Sequence, residues 1–249
     1  MKKVLLIMPF YFILLSLSTI TGIYKTPHAS AHYTLHISKE FKESVDTNDH
    51  ITMLNILMNL NQYSDEACYY VARHGSPEMF YKLLEYNPHI AHFRILCDQP
   101  WVGYPIAAYV IDSGSLKKLQ YLLKYNIDMN SPVGIGINYP VTITGKTRSY
   151  ATRNIPLLHY AISTHASLEI IKMIINSGAD ISRFAPLPCY DYKLWTPLMI
   201  AAFFGDVELV RILLAAGAQT EITDSYGATA LDYAQLQQHD HIIALLRRS

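Results

Sequence analysis

The C-terminal part of the chain repeats itself at an interval of 33 residues. Shifting it on itself by that interval superposes Asp191 on Asp224, Thr196 on Thr229, Leu198 on Leu231, Ala201 on Ala234, Val210 on Ile243 and Leu213 on Leu246. A repeat this short is one supersecondary unit that cannot bury its apolar face alone, so the chain must stack such units side by side. Upstream, the same register recurs as two adjacent aliphatic residues with a Gly or Asn three places on: Leu83-Leu84 with Asn87, Leu122-Leu123 with Asn126, Ile174-Ile175 with Gly178, and Leu213-Leu214 with Gly217. Gly and Asn enter the left-handed conformation at low cost, so these four positions are predicted to end four helices. Their spacings of 39, 52 and 39 residues exceed 33, and the surplus is placed in the loops between units.

The segment Thr196-Pro197-Leu198-Met199-Ile200-Ala201-Ala202, with Gly205-Asp206-Val207-Glu208-Leu209-Val210 and Leu213-Leu214-Ala215-Ala216-Gly217-Ala218 behind it, strongly resembles the ankyrin repeat consensus. The resemblance covers about residues 62 to 249 and is strongest after 155. It implies an all-α solenoid of about five stacked helix pairs with long finger loops. Gly75 aligns with Gly205, and Pro105-Ile106-Ala107 and Pro156-Leu157-Leu158 take the place of Thr196-Pro197-Leu198, with proline suited to a first helical turn. In the family the Thr and His of a Thr-Pro-Leu-His start order the beginning of the helix; here His159 matches that His, whereas Met199 and Asp232 replace it, and His239 falls at the Gly-His position of the turn between helices. Ahead of the repeats, Ser38 to Val45 and Asp49 to Asn61 read as a capping helix pair within residues 32–61, with Phe41, Val45, Ile51, Leu54, Leu57 and Met58 as its buried stripe. Asp46 with Asp49, and Asp65 with Glu66, are read as acids at helix starts.

The longest interval, Ile127 to Ile155, carries Pro132, Pro140, Gly134, Gly136 and Gly145 around Val141-Thr142-Ile143-Thr144, which predicts a β-hairpin turning near Gly145-Lys146. Ile181 to Leu194, with Phe184, and Ala91 to Gly103, with Trp101, are two further long loops. Long loops on a solenoid project from one face, and that face is where the family binds proteins. Between Asp128 and Glu169 there is no acidic residue, while Lys146, Arg148 and Arg153 lie beside Tyr139 and Tyr150. Tyr and Arg contribute contact area and directed hydrogen bonds at interfaces. The partner-binding residues expected are therefore Tyr139, Lys146, Arg148, Tyr150, Tyr190, Tyr192 and Tyr226, with Trp195 partly structural. The alternative is that the hairpin folds back and its tyrosines merely cover the stack.

Met1-Lys2-Lys3, an apolar run from Val4 to Tyr24 and the small-x-small triplet Ala29-Ser30-Ala31 have the layout of a secretory signal peptide over residues 1–31. The run is also long enough to span a bilayer, so an uncleaved inner-membrane anchor through residues 4–24 stands as the alternative. Cleavage after Ala31 removes Lys2, Lys3 and Lys25 and no acid, taking the net charge from zero to −3. A near-neutral chain has no overall field to hold a polyanion, which argues against nucleic acid as partner. Cys68, Cys97 and Cys189 are odd in number and widely spaced, which does not describe a disulfide framework; three buried thiols and a Cys68 to Cys97 bridge both stay open.

Motifs for chemistry are weak. Gly145-Lys146-Thr147 lacks the glycine five residues earlier that a phosphate loop needs, because Pro140 stands there. Gly134-Ile135-Gly136 lacks the third glycine of a dinucleotide site. His28, His32 and His36 fall at four-residue intervals, and a mature chain beginning at His32 offers one metal-binding alternative through His32 and His36. The expectation is a monomeric, non-enzymatic protein without cofactor, periplasmic or secreted from a bacterium, that binds a protein. The resemblance to periplasmic ankyrin proteins implies an inhibitor or immunity role against a toxin or support of an envelope enzyme; a secreted effector engaging a host protein is the alternative.

Overall fold

The inner helices in the middle of the stack are apolar on nearly every side because they are covered by neighbours. Helix α9 (Pro197–Phe204) buries the whole run Pro197 to Ala202, packed against its own partner α10 (Val207–Ala215) and against the inner helices α7 (Leu157–Ser163) and α11 (Ala230–Leu236) of the neighbouring pairs. The outer helix is amphipathic: α10 buries Leu209, Val210 and Leu213 and exposes Arg211. Truncating Leu213 to alanine would cost about 2–5 kcal/mol by cavity formation. The structure, a computed structural model, describes residues 38–59, 65–92, 94–96, 103–137, 141–143, 146–148, 151–186 and 194–249. The signal-peptide and anchor readings, His28, His32, His36, Cys97, Trp101, Tyr139, Tyr150, Cys189, Tyr190 and Tyr192 lie outside these residues.

Twelve α-helices among the described residues form six consecutive pairs. The first is α1 (Lys39–Asp46) with α2 (His50–Asn59), followed by α3 (Asp65–His74) with α4 (Pro77–Tyr86), and α5 (Ile106–Asp112) with α6 (Leu116–Leu123). Helix α7 pairs with α8 (Leu168–Asn176), α9 with α10, and α11 with α12 (Asp240–Leu246). Four outer helices begin at a side-chain cap, where Ser76, Ser115, Ser167 and Asp206 accept from the amides of Met79, Lys118, Ile170 and Leu209. Inner helix α9 is capped by Thr196, and α11 by a reciprocal box in which Thr229 accepts from the Asp232 amide and the Asp232 carboxylate accepts from the Thr229 amide. Asp232 thus orders its own turn in place of the histidine, and Met199 is simply core.

Three predicted helix ends, Asn126, Gly178 and Gly217, are left-handed, with φ of 57°, 93° and 91°. Asn87 is not: it is extended at φ −137°, because Pro88 behind it disfavours helical geometry, and the chain continues into a 3-10 turn over Pro88–His92. Pro105 and Pro156 sit one place earlier than expected, capping α5 and α7 without a side-chain bond, since each ends a strand that leads directly into its helix. Gly75 also differs from Gly205. It is not left-handed, and it is small because a Cβ there would lie 2.8 Å from the Val71 carbonyl. In the first pair Asp49 caps α2 through the amides of Ile51 and Thr52, but Asp46 ends α1 instead of starting a helix. Phe41, Val45, Met53 and Leu57 are buried there, whereas Ile51 and Met58 are exposed, because no further pair lies on that flank of α2 among the described residues.

Every finger between α4 and α9 carries antiparallel two-stranded structure, including the two that read as plain loops. Strand β1 (Arg94–Leu96) pairs with β2 (Gly103–Pro105), and β7 (Ala185–Pro186) with β8 (Leu194–Trp195). In the longest finger β3 (Pro132–Ile137) pairs with β6 (Ala151–Pro156), and inside that hairpin β4 (Val141–Ile143) pairs with β5 (Lys146–Arg148). Strand β2 runs beside β3, and β6 beside β7, so consecutive finger bases are lined up along the stack.

Candidate interaction surface

The finger between α10 and α11 is a short turn held by one buried side chain. Asp224 Oδ1 accepts from the amides of Tyr226 at 2.8 Å and Ala228 at 3.0 Å, while Oδ2 accepts from the Tyr233 hydroxyl. Tyr233 in turn accepts from Trp195 Nε1 at 2.9 Å, and the Trp195 ring packs between Tyr233 and Phe203. Burial, reinforced by Asp224, holds the Tyr233 phenol above its ordinary range. Trp195, 1% exposed, is therefore wholly structural. The turn closes through Gly227 at φ 78°, a conformation glycine adopts without penalty, and it leaves Tyr226 69% exposed at the tip.

Helix α7 is tied in both directions by neighbouring residues. His159 Nε2 donates to the Trp195 carbonyl at 3.0 Å, at the start of the next pair, and burial depresses its pKa to about 4, keeping the ring neutral. Tyr160 donates to Asp112 Oδ1 at 2.6 Å, at the end of the preceding inner helix. Burial raises the Asp112 carboxyl to about 6, with the nearby Arg73 charge opposing, and its Oδ2 has no hydrogen-bond partner among the described residues. Lys118 is a third buried polar residue: its ammonium donates to the Ala72 carbonyl at 2.9 Å, and burial lowers its pKa to about 8. His239, at the predicted turn position, donates to the Phe203 carbonyl at 3.1 Å; its ring lies where a Cβ on Gly205 would come within 2.7 Å. The fingers are joined as well, since Asn130 accepts from the Asp180 amide at 2.8 Å and donates to the Gly178 carbonyl at 3.2 Å.

On this frame the expected binding residues fall as follows. Tyr226 is at an exposed tip, and Lys146 and Arg148 are alternate residues of β5. Tyr139, Tyr150, Tyr190 and Tyr192 lie outside the described residues. Two exposed apolar residues join the candidates: Phe184 just before β7 and Leu194 in β8. The signal for Leu194 was its neighbour, because successive strand residues point oppositely and Trp195 is buried. Among the described residues no group of three His, Cys, Asp or Glu side chains is placed to hold a metal, and no helix is long and apolar enough to cross a membrane. Cys68 is buried in α3.

Residues 158–249 match the family described as ankyrin repeats in three copies. The structure resembles the crystal structure of the ankyrin repeat domain of Bcl-3, a member of the IκB protein family, with a TM-score of 0.60 over 85% of this chain and 86% of that one at 18% identity. The fold is an ankyrin solenoid. In sequence it is 37% identical over 90 residues to the glycerophosphocholine phosphodiesterase gde1 of Schizosaccharomyces pombe, 36% of this chain and 7% of that protein. It is 33% identical over 85 residues to the ARF GTPase-activating protein Git of Drosophila melanogaster, 34% of this chain and 11% of the relative. It is 36% identical over 66 residues to the protein phosphatase 1 regulatory subunit 12A of Mus musculus, 26% of this chain and 6% of that subunit. The matched stretches are thus a small part of each relative. Ankyrin repeats imply a protein–protein interaction module, typically a non-catalytic one.

Proposed function

We propose that this chain is an exported ankyrin module that binds a protein of the cell envelope or of the medium through its finger side, inhibiting or supporting it as an immunity protein would. The carrying observation is the last finger: an exposed tyrosine set on a turn whose buried carboxylate, Asp224, uses both of its oxygens, so little freedom is lost when a partner covers it. Phe184 and Leu194 add exposed apolar area at the preceding finger. Lys146, Arg148 and Arg153, in a stretch without acid between Asp128 and Glu169, would supply the charge of such a surface. The lysines at the start, the apolar run and the Ala29-Ser30-Ala31 triplet support export to the periplasm or beyond.

Two measurements test this. The tagged full chain is expressed in a Gram-negative host, fractionated, and its amino terminus read; a start at His32 in the soluble periplasmic fraction is expected, and an intact Met1 in the membrane fraction would overturn the soluble form. Partner capture after cross-linking is then compared with that of an Arg148→Ala, Tyr150→Ala double variant of unchanged helical content. Loss of the captured protein is expected, and undiminished capture would remove the finger side from the mechanism.

A further inference from the structure

The outer helices of the last two pairs enclose a groove whose lining is set by helical spacing. Val207 and Arg211 are one turn apart on α10, and His241, Ala244, Leu245 and Arg248 fall at intervals of three and four along α12 and the turn that ends it, so each set shares one helix face. Together these residues line a cavity of about 260 Å³, and no finger residue takes part. That is below the roughly 300–1,000 Å³ of pockets that enclose a whole small ligand. It suits one or two side chains of a partner.

The lining is divided by chemistry. Val207, Ala244 and Leu245 form its apolar part, Arg211, His241 and Arg248 its polar part, and no carboxylate belongs to it. Glu208 lies beside Arg211 at 3.6 Å in an exposed pair, of the kind that contributes little and gives way to a better-placed acid. Arg248 and His241 make no ion pair among the described residues. The repeat register shows how this groove departs from the one before it. His241 stands where α10 carries Glu208 and α8 carries Glu169, and Arg248 stands where α10 carries Ala215. An acid has given way to an imidazole and a small residue to a guanidinium, which gathers donors between α10 and α12. The chain as a whole has as many basic as acidic side chains, so no general field draws a polyanion here. Two guanidiniums beside an apolar floor match one carboxylate with an apolar neighbour.

We propose that the groove between α10 and α12 is a second docking site, which receives a Glu or Asp side chain of a protein partner together with the apolar residue next to it. The carboxylate accepts from Arg211, Arg248 and a ring nitrogen of His241, and the apolar side chain covers Val207, Ala244 and Leu245. The probe is an acetylated and amidated Leu-Glu-Leu tripeptide, titrated into the isotope-labelled full chain while amide and arginine Nε–H shifts are followed by NMR. Saturable shifts are expected at Arg211, Arg248 and the amides of α10 and α12. Affinity should fall roughly tenfold or more for Leu-Gln-Leu, and similarly in Arg211→Gln with Arg248→Gln, two exposed positions at which the fold is not at stake. Ala244→Glu, also exposed, sets a carboxylate of the chain's own in the groove and should abolish binding. No saturable shifts, equal affinity for Leu-Gln-Leu, or parental binding by Ala244→Glu would overturn the site. The Arg148→Ala, Tyr150→Ala variant should bind the tripeptide as the parent does; a loss there would put the peptide on the fingers and overturn the groove while leaving the finger-side reading standing. Undiminished partner capture by that variant, with tripeptide binding intact, would remove the fingers and leave the groove.

Discussion

The aspartate–tyrosine pairs Asp224–Tyr233 and Asp112–Tyr160 both lie inside the stack, and they differ in what surrounds the carboxylate. Asp224 spends both oxygens: one on two amides of its own finger, the other on Tyr233. Asp112 uses one oxygen on Tyr160 and leaves the other buried without a partner among the described residues. A buried carboxylate that is fully bonded fixes local structure, while a half-bonded one keeps an unrelieved desolvation cost. The first pair shapes a finger that ends in an exposed side chain; the second joins two inner helices and answers to pH.

Breaking the satisfied pair should have the largest effect. Asp224→Ala removes three bonds to a buried carboxylate and strands the Tyr233 hydroxyl, for about 3 kcal/mol of lost stability in urea titration. Tyr226 fluorescence and amide exchange at Tyr226 and Ala228 should report a loosened finger, and an unchanged midpoint would refute the assignment of Asp224 as its anchor. Changing the half-bonded pair should do the opposite. Asp112→Asn keeps an acceptor for Tyr160 and removes the buried charge, so a gain of about 1 kcal/mol near pH 7 is expected.

The pH dependence sharpens this contrast. With its folded pKa raised to about 6 against 3.8, Asp112 binds its proton more readily in the folded chain, so its contribution to stability rises as pH falls from about 6 to about 4 and is lost on the way up. His159, lowered to about 4 against 6.5, acts in the other direction over nearly the same window: its buried neutral ring contributes stability that is lost as pH falls. The two oppose each other in the intact protein. Chemical denaturation from pH 4 to 7 should therefore show a steeper acid loss for Asp112→Asn than for the parent chain; parallel curves would mean that Asp112 is ionised in the folded state at pH 5. The smallest effect belongs to the backbone. His165 holds a left-handed φ of 54° in the turn between α7 and α8, the position that Gly205 fills between α9 and α10. His165→Gly should raise stability by about 0.5 kcal/mol, measured as a small rise in Tm, since it relieves a strained conformation at some cost in chain entropy.

Much of the stack was legible because its signals are local. Paired aliphatics before Asn126, Gly178 and Gly217 marked helix ends, and the 33-residue period carried the fold. Asn87 was misleading because Pro88 overrides it, a signal also present in the sequence. Ile51 and Met58 lie on a helical stripe that periodicity assigns to the core, and only the absence of a covering pair among the described residues exposes them. The finger strands at 94–96 and 103–105 and at 185–186 and 194–195 carry too few residues for an alternating pattern to register. Of the candidate surface, Tyr226 and the acid-free hairpin could be named in advance, whereas Leu194 needed the strand that buries Trp195 beside it.

By itself the sequence determined the repeat unit, the type and order of its helices, and the place where the chain departs from regular spacing, because each depends on neighbours a few residues apart. Tertiary structure alone decided which aspartate is satisfied and which is not. Asp112 and Tyr160 are 48 residues apart, and Trp195 and Tyr233 are 38 apart, so their pairing exists only once the units are stacked. Burial then sets the charge state of each group, and burial is a property of the stack, not of the repeat.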